Sequence, residues 1–195
     1  MPQHGDRGAT TRTQLIEVAT RLFAARGYEA TSIEAVLDEA GVSRGALYHH
    51  FASKEALFEA VFSAVEDRIG EEVTLAAAGS VDAVTVLRAG CLAWVQLAGD
   101  PVVQRIVLVD APAVLGWERW RELENQHALG LLKGVLASVA DTGRLPADLV
   151  DTFAHVLLAS VNEIALLIAR SDDSRSALRS GERAVDELLS RLLGS

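Results

Sequence analysis

The 195-residue chain has one cysteine, Cys91, four prolines and two lysines, and strand-type alternation of apolar and polar residues is hard to find. Each shortage excludes something. A single thiol excludes an internal disulfide. Without paired cysteines or a His-x-x-x-His spacing there is no metal motif. No phosphate loop, Gly-x-Ser-x-Gly elbow or dinucleotide glycine pattern occurs, so no cofactor and no enzymatic activity are expected. Scarce proline leaves room for long helices, and the missing alternation points to an all-α fold. Long hydrophobic runs are also scarce. The greasiest, Val156 to Ala169, falls short of the roughly 20 residues of a membrane span and contains Asn162 and Glu163. The first twelve residues, MPQHGDRGATTR, contain no apolar segment of a secretory leader. A cytoplasmic protein without a membrane partner is expected.

Positive charge is in deficit too: the net charge is −9. Residues 1–60 hold 6 Lys/Arg against 8 Asp/Glu and the remainder 12 against 19, so the acidity lies mostly in the C-terminal part. Half of the residues are hydrophobic, ample for a core.

Breaks and caps divide the chain into about nine helices. A flexible arm is expected over 1–9 and a first helix from Thr10 to Arg26, ended by Gly27. Ser53 caps a long fourth helix. Gly79-Ser80 precedes a fifth, from about Val81 to Leu97. Gly99-Asp100-Pro101 restarts the chain, and Ala111-Pro112 is expected to interrupt the short sixth helix. The seventh helix runs from Trp117 to about Ala140, the eighth from Pro146 to about Arg170, and the ninth from Arg175 to Leu193.

Thr31 to Glu55 is the most informative stretch. Ile33, Val36, Leu37 and Ala40 form one apolar stripe, Thr31 and Glu34 match a capping box, and Gly41 suits a left-handed helix end. Ser43 can cap a second helix of two turns whose apolar members are Ala46, Leu47 and Phe51. Its other face carries Arg44, Gly45, Tyr48, His49 and His50, and needs a partner outside the chain's own core. Two helices around a tight corner fit a helix-turn-helix whose second helix enters a DNA major groove.

The run G-V-S-R-G-A-L-Y-H-H-F-A-S-K-E-A-L-F, preceded by L-I-E-V-A-T-R-L-F-A-A-R-G-Y-E-A-T-S-I, resembles the DNA-binding signature of TetR/AcrR-type transcriptional regulators. The likeness covers about residues 10–60. It implies a DNA-binding domain over 10–56 and an effector-binding and dimerisation domain over 57–195. By this resemblance Thr31 and Ser32 hold a phosphate at a helix N-terminus. Ser43 and Arg44 start the recognition helix, and Arg44 can pair with a guanine. Gly45 lets the backbone approach and Ala46 meets a thymine methyl. Tyr48, His49 and Lys54 reach phosphates. Arg7 and Arg12 either contact DNA or belong to a solvated tail.

The same resemblance places an effector pocket among helices five to eight, with Trp94, Asp110, Trp117, Trp120, His127 and Asn162 as candidates. Trp117, Trp120, Glu124 and His127 share one sector of helix seven and either line a pocket or pack the core. Dimerisation is assigned to the last two helices, through Phe153, Leu157, Val161, Ile164, Val185, Leu188 and Leu192. The expected function is a homodimeric bacterial repressor, released from double-stranded operator DNA by an unidentified small organic effector. The alternatives are an activator or corepressor-dependent regulator, and a redox or interaction module using Cys91.

Overall fold

The computed structural model describes residues 4–194, with side chains from Gly8 onward. Among these the chain is helical without strands. Nine helices can be numbered among them. They are α1 (His4–Arg26), α2 (Ile33–Ala40), α3 (Arg44–His50), α4 (Lys54–Ala77) and α5 (Ala83–Leu97). Helix α6 is a π-helical stretch, Val103–Asp110, running into Ala111–Val114. Helix α7 comprises Trp117–Glu124, a π turn Asn125–Leu129, and Gly130–Asp141. A single 3-10 turn leads into α8 (Val150–Ala169), and α9 is Ser174–Leu193.

Three expectations about boundaries are corrected. Residues 4–9 form the opening turns of α1 rather than an arm, since nothing before Thr10 breaks the helix; residues 1–3 lie outside the described ones. Pro112 does not interrupt α6. The preceding turns bond in the wider π register, Ala111 N–H reaching Ile106, and the proline falls in the first turn of the α segment, where a missing N–H costs little. The apolar helix Ala147–Ala169 is long and apolar enough to cross a membrane by length and composition, where the sequence suggested a shorter run. Here it packs against α5, α7 and α9.

Two hydrophobic clusters hold the chain together. One joins α1 to α4 through Leu15, Phe23, Leu47, Phe58 and Phe62, and continues without a gap into Ile106 and Val107 of α6 and Trp120 of α7. Phe23, Tyr28 and Phe58 form its aromatic centre, with ring centroids 5.1 to 5.7 Å apart. Such edge contacts add about 0.5–1.5 kcal/mol per pair beyond the buried area. The other cluster gathers α5, α7, α8 and α9 around Val95, Leu136, Leu157 and Val185.

A polar tie reinforces the first cluster. Tyr28 N–H donates to Asp110 Oδ2 at 2.8 Å, and Arg105 Nε donates to the same oxygen at 3.2 Å. The Arg105 guanidinium lies over Gly27, whose φ is +81°; a Cβ there would stand 1.8 Å from Arg105 Nη2. Position 27 therefore favours glycine for its backbone angle, and a Cβ there would also push the Arg105 guanidinium from its place beside Asp110. Arg119 of α7 adds a second tie, donating to Glu59 of α4 at 2.6 Å.

Candidate functional site

The α2–α3 corner is set by serine caps. Ser32 accepts from Ala35 N–H, Ser43 from Ala46 N–H and Ser53 from Ala56 N–H, each saturating a donor that a helix start leaves free. Gly41 ends α2 at φ +65° and turns the chain toward α3. Ser32, not Thr31, is thus the α2 cap. Thr31 is fully buried, and its hydroxyl donates to the Gly27 carbonyl at 2.8 Å and lies 3.3 Å from that of Leu22. It fastens α2 to the end of α1 and presents nothing to a phosphate, which corrects its expected role.

Leu47 and Phe51 anchor α3 to the core, while Ser43, Arg44, Gly45, Tyr48 and His49 face outward. Tyr48 is 45 % exposed, a large ring without a packing partner in the core. Arg44 pairs with Glu34 of α2, so in the free chain its guanidinium is held across the corner by an exposed carboxylate. No heavy atom stands within 4 Å of a Cβ built on Gly45, so nothing inside the chain demands glycine there. Ala46 is half-buried. The Lys54 ammonium sits 4.0 Å from the centre of the Tyr28 ring, and the Arg12 guanidinium 5.4 Å from that of Phe51. Both cations therefore lie against aromatic faces at the edge of this surface. The Arg7 side chain lies outside the described ones.

Behind the helix-turn-helix, α4, α5, α7 and α8 line a partly open cavity of about 450 Å³. Of the expected effector residues, Trp94, His127 and Asn162 line it. Asp110 does not, because both its bonds go to the Tyr28–Arg105 tie. Trp117 is 61 % exposed at the head of α7, its ring 4.9 Å from Trp120 and 5.3 Å from the Arg121 guanidinium. Trp120 is buried in the first cluster. The common sector expected for helix seven is thus split. Its residues fall at different heights, and the π turn after Glu124 re-aims the remainder of the helix.

Two acidic residues supply the cavity's polar chemistry. Glu66 of α4 and Glu124 of α7 are 5 % and 3 % exposed. Glu124 Oε1 accepts from Asn162 Nδ2 at 2.7 Å, but Glu66 Oε1, Glu124 Oε2 and Trp94 Nε1 have no partner. Burial, with the charges of Glu124 and Asp67 nearby, pushes the Glu66 carboxyl up to about 8. Burial raises Glu124 to about 7, with Arg121 opposing. Glu66 is absent from the residues expected on sequence grounds, although a signal is present: a carboxylate interrupts the stripe Phe62, Val65, Ile69 at helical spacing. Cys91 also lines the cavity, and burial pushes its thiol up to about 12. That holds the proton on sulfur, opposite to what a reactive thiolate needs.

Of the seven residues expected at a dimer contact, three are buried within the single chain and four are half-buried. Leu157, Val161 and Val185 are buried in the chain's own second cluster, and Phe153, Ile164, Leu188 and Leu192 pack half-buried against it. The most apolar stripe of each helix faces its own core because that is where water is excluded. The free face of α8 is a different stripe, Thr152, Val156, Ala159, Glu163 and Leu167, with Val156 54 % and Leu167 61 % exposed.

Comparison with known proteins gives a consistent result. The family model described as "Bacterial regulatory proteins, tetR family" matches residues 15–61, and "Tetracyclin repressor-like, C-terminal domain" matches residues 84–192. The crystal structure of a TetR-family transcriptional regulator from Pectobacterium atrosepticum is 30 % identical, covers 99 % of each chain and superposes with a TM-score of 0.86. The regulator FadR from Bacillus subtilis, solved in complex with stearoyl-CoA, shares the fold at 20 % identity, covering 91 % of this chain and 96 % of that one, with a TM-score of 0.73. The HTH-type transcriptional repressor KstR2 from Rhodococcus jostii is 39 % identical over 69 residues, 35 % of this chain and 34 % of that protein. The chain thus aligns with about a third of the length of such curated relatives.

Proposed function

This chain belongs to the TetR family of transcriptional regulators, with a DNA-binding helix-turn-helix, and from that premise we propose that it is a homodimeric cytoplasmic repressor released from its operator by a small organic effector. Residues 10–56 carry the DNA contact and residues 57–195 the effector and dimer contacts. The observation that carries the reading is α4. It begins at the Ser53 cap directly behind α3, and its far half lines the cavity with Glu66, Ile69 and Val73. A ligand entering there presses on the helix that also supports the reading surface, and the equilibrium moves toward a form whose two α3 helices are wrongly spaced.

In this reading Ser43, Arg44, Gly45 and Ala46 meet base edges, and Tyr48 and His49 meet phosphates, with Ser32 and Lys54 at the margins. The open space at Gly45 supports it, since the close approach that would favour glycine must come from outside. Arg44 reaches a guanine by leaving Glu34. Two copies of α3 must lie about 34–36 Å apart to read a two-fold site. The free stripe of α8, centred on Val156 and Leu167, is the face through which a second copy docks, together with the outer side of α9.

The test is a genome-wide footprint followed by mobility shifts on the recovered sites. Tyr48→Ala is expected to abolish binding while sedimentation still reports a dimer; loss of the dimer in that variant would sink the assignment. Affinity measured with and without effector distinguishes release from corepression.

A further inference from the structure

The chemistry of the cavity goes further than its existence. Its lining side chains include two glutamates and no lysine or arginine. Most of the remaining wall is apolar, from Ile69, Val73, Leu87, Leu158 and Val161, with Asn162 spent on Glu124. Buried polar atoms ordinarily have a partner, and one left without it costs about 1–3 kcal/mol. Glu66 Oε1 and Glu124 Oε2 both lack one, and the two residues, from α4 and α7, both line the cavity. Ionised together in an apolar site, the two carboxyls would repel each other and any third anion, which keeps them protonated in the free chain. A cation between them offsets that repulsion and allows them to ionise. An electron-rich indole, Trp94, stands in the same wall and favours positive charge at its face.

We propose that the cavity takes a lipophilic organic cation, its protonated amine seated between the Glu66 and Glu124 carboxylates and its apolar body against the α5 and α8 walls. This rests on the reading of the cavity as the effector site. It differs from what the fold's other members suggest, because a thioester carrier such as the stearoyl-CoA bound by the Bacillus subtilis FadR brings negative charge. The groups facing the carboxyls are His127, which lies 3.3 Å from Asp67, together with Asp67 itself, Arg121 and Cys91. In the free chain the raised carboxyls hold protons near neutrality. An ammonium ion displaces them, so binding releases protons.

The test uses the full chain and three probes on one naphthyl body: 1-naphthylmethylammonium, 1-naphthylmethanol and 1-naphthoate. Calorimetry at neutral pH, in buffers of different ionisation enthalpy, reads affinity and proton release together. The ammonium is expected to bind about tenfold or more tighter than the alcohol, with proton release, and the carboxylate weakest. In E66Q and E124Q the ratio of ammonium to alcohol affinity is expected to shrink. An alcohol or carboxylate that binds as well as the ammonium overturns the cation assignment and leaves the effector cavity standing. If none of the three binds, or none perturbs Trp94 fluorescence, both fall. The comparison on the unmodified chain decides the matter even if a variant fails to fold.

Discussion

The helix-turn-helix end and the cavity end solve the same problem in opposite ways. At α2 and α3 the helix starts are capped by Ser32 and Ser43, and among the described residues up to α3 the one buried polar side chain, Thr31, has its hydroxyl satisfied. Among the described residues, the buried side-chain atoms without a hydrogen-bond partner all lie beyond residue 65, on Glu66, Arg68, Trp94, Trp120 and Glu124, although Arg68 pairs ionically with Glu72 and Asp100. A surface that meets its partner from outside can leave its polar groups in water until contact. A site that encloses its partner has to bury them in advance and carry the cost while empty. On the proposed reading, the unsatisfied atoms of Glu66, Trp94 and Glu124 belong to an inward-facing site, whereas those of Arg68 and Trp120 lie outside its lining.

The comparison can be broken most severely at the satisfied end. Phe58→Ala removes the ring that joins Phe23 and Tyr28, and should cost about 3–5 kcal/mol in a denaturant titration. Arg44→Ala should weaken specific DNA binding by about 1–3 kcal/mol, read as relaxed base preference, with stability little changed because its pair with Glu34 is exposed.

At the unsatisfied end the expected signature is a pH slope. Glu66 has a folded-state value near 8, above its ordinary 4.5. The folded chain then binds a proton that the unfolded chain has released. Its contribution to stability is fully present below 4.5 and is lost as pH rises through 8. Glu66→Gln should flatten that slope and raise stability at the alkaline end by about 1–3 kcal/mol, measured as denaturation midpoints across the window. The smallest effect belongs to Trp117→Ala. Despite its size this exposed residue should change stability by no more than about 0.5 kcal/mol and leave naphthyl-probe affinity unaltered. A large loss of probe affinity there would return Trp117 to the cavity.

Legibility in the sequence divides along the same line. Ser43, Gly41 and Ser53 announce helix ends through local chemistry, and Leu47 and Phe51 announce an anchored helix, so that corner can be placed from residue types alone. Thr31 is open to misreading because Thr31 and Ser32 are both competent caps, and only the tertiary position of α1 decides which one is buried. The cavity is half legible: Trp94, His127 and Asn162 line it, but Asp110, Trp117 and Trp120 do not. Helical periodicity assigns a face, and three neighbours on one face can serve three destinations when a helix changes register, as α7 does at Asn125–Leu129. For α8 the apolar stripe Phe153, Leu157, Val161 and Ile164 is partly taken up by the chain's own second cluster. Apolar content reports burial without saying whether the covering surface is the chain's own.

The apolar cluster that runs unbroken from Leu15 and Phe23 through Phe58 to Ile106 and Trp120 has a consequence for how such a protein can be reassembled. The reading head is not a cartridge. A chimera that grafts residues 10–56 onto a foreign body would cut through the packing of Phe23 with Phe58. It would also strand Gly27 without Arg105 and the Tyr28 amide without Asp110. A swap that keeps DNA specificity must carry α4 and the α6 wall along with it, so the smallest transferable unit is set by shared packing and is larger than the stretch that touches DNA.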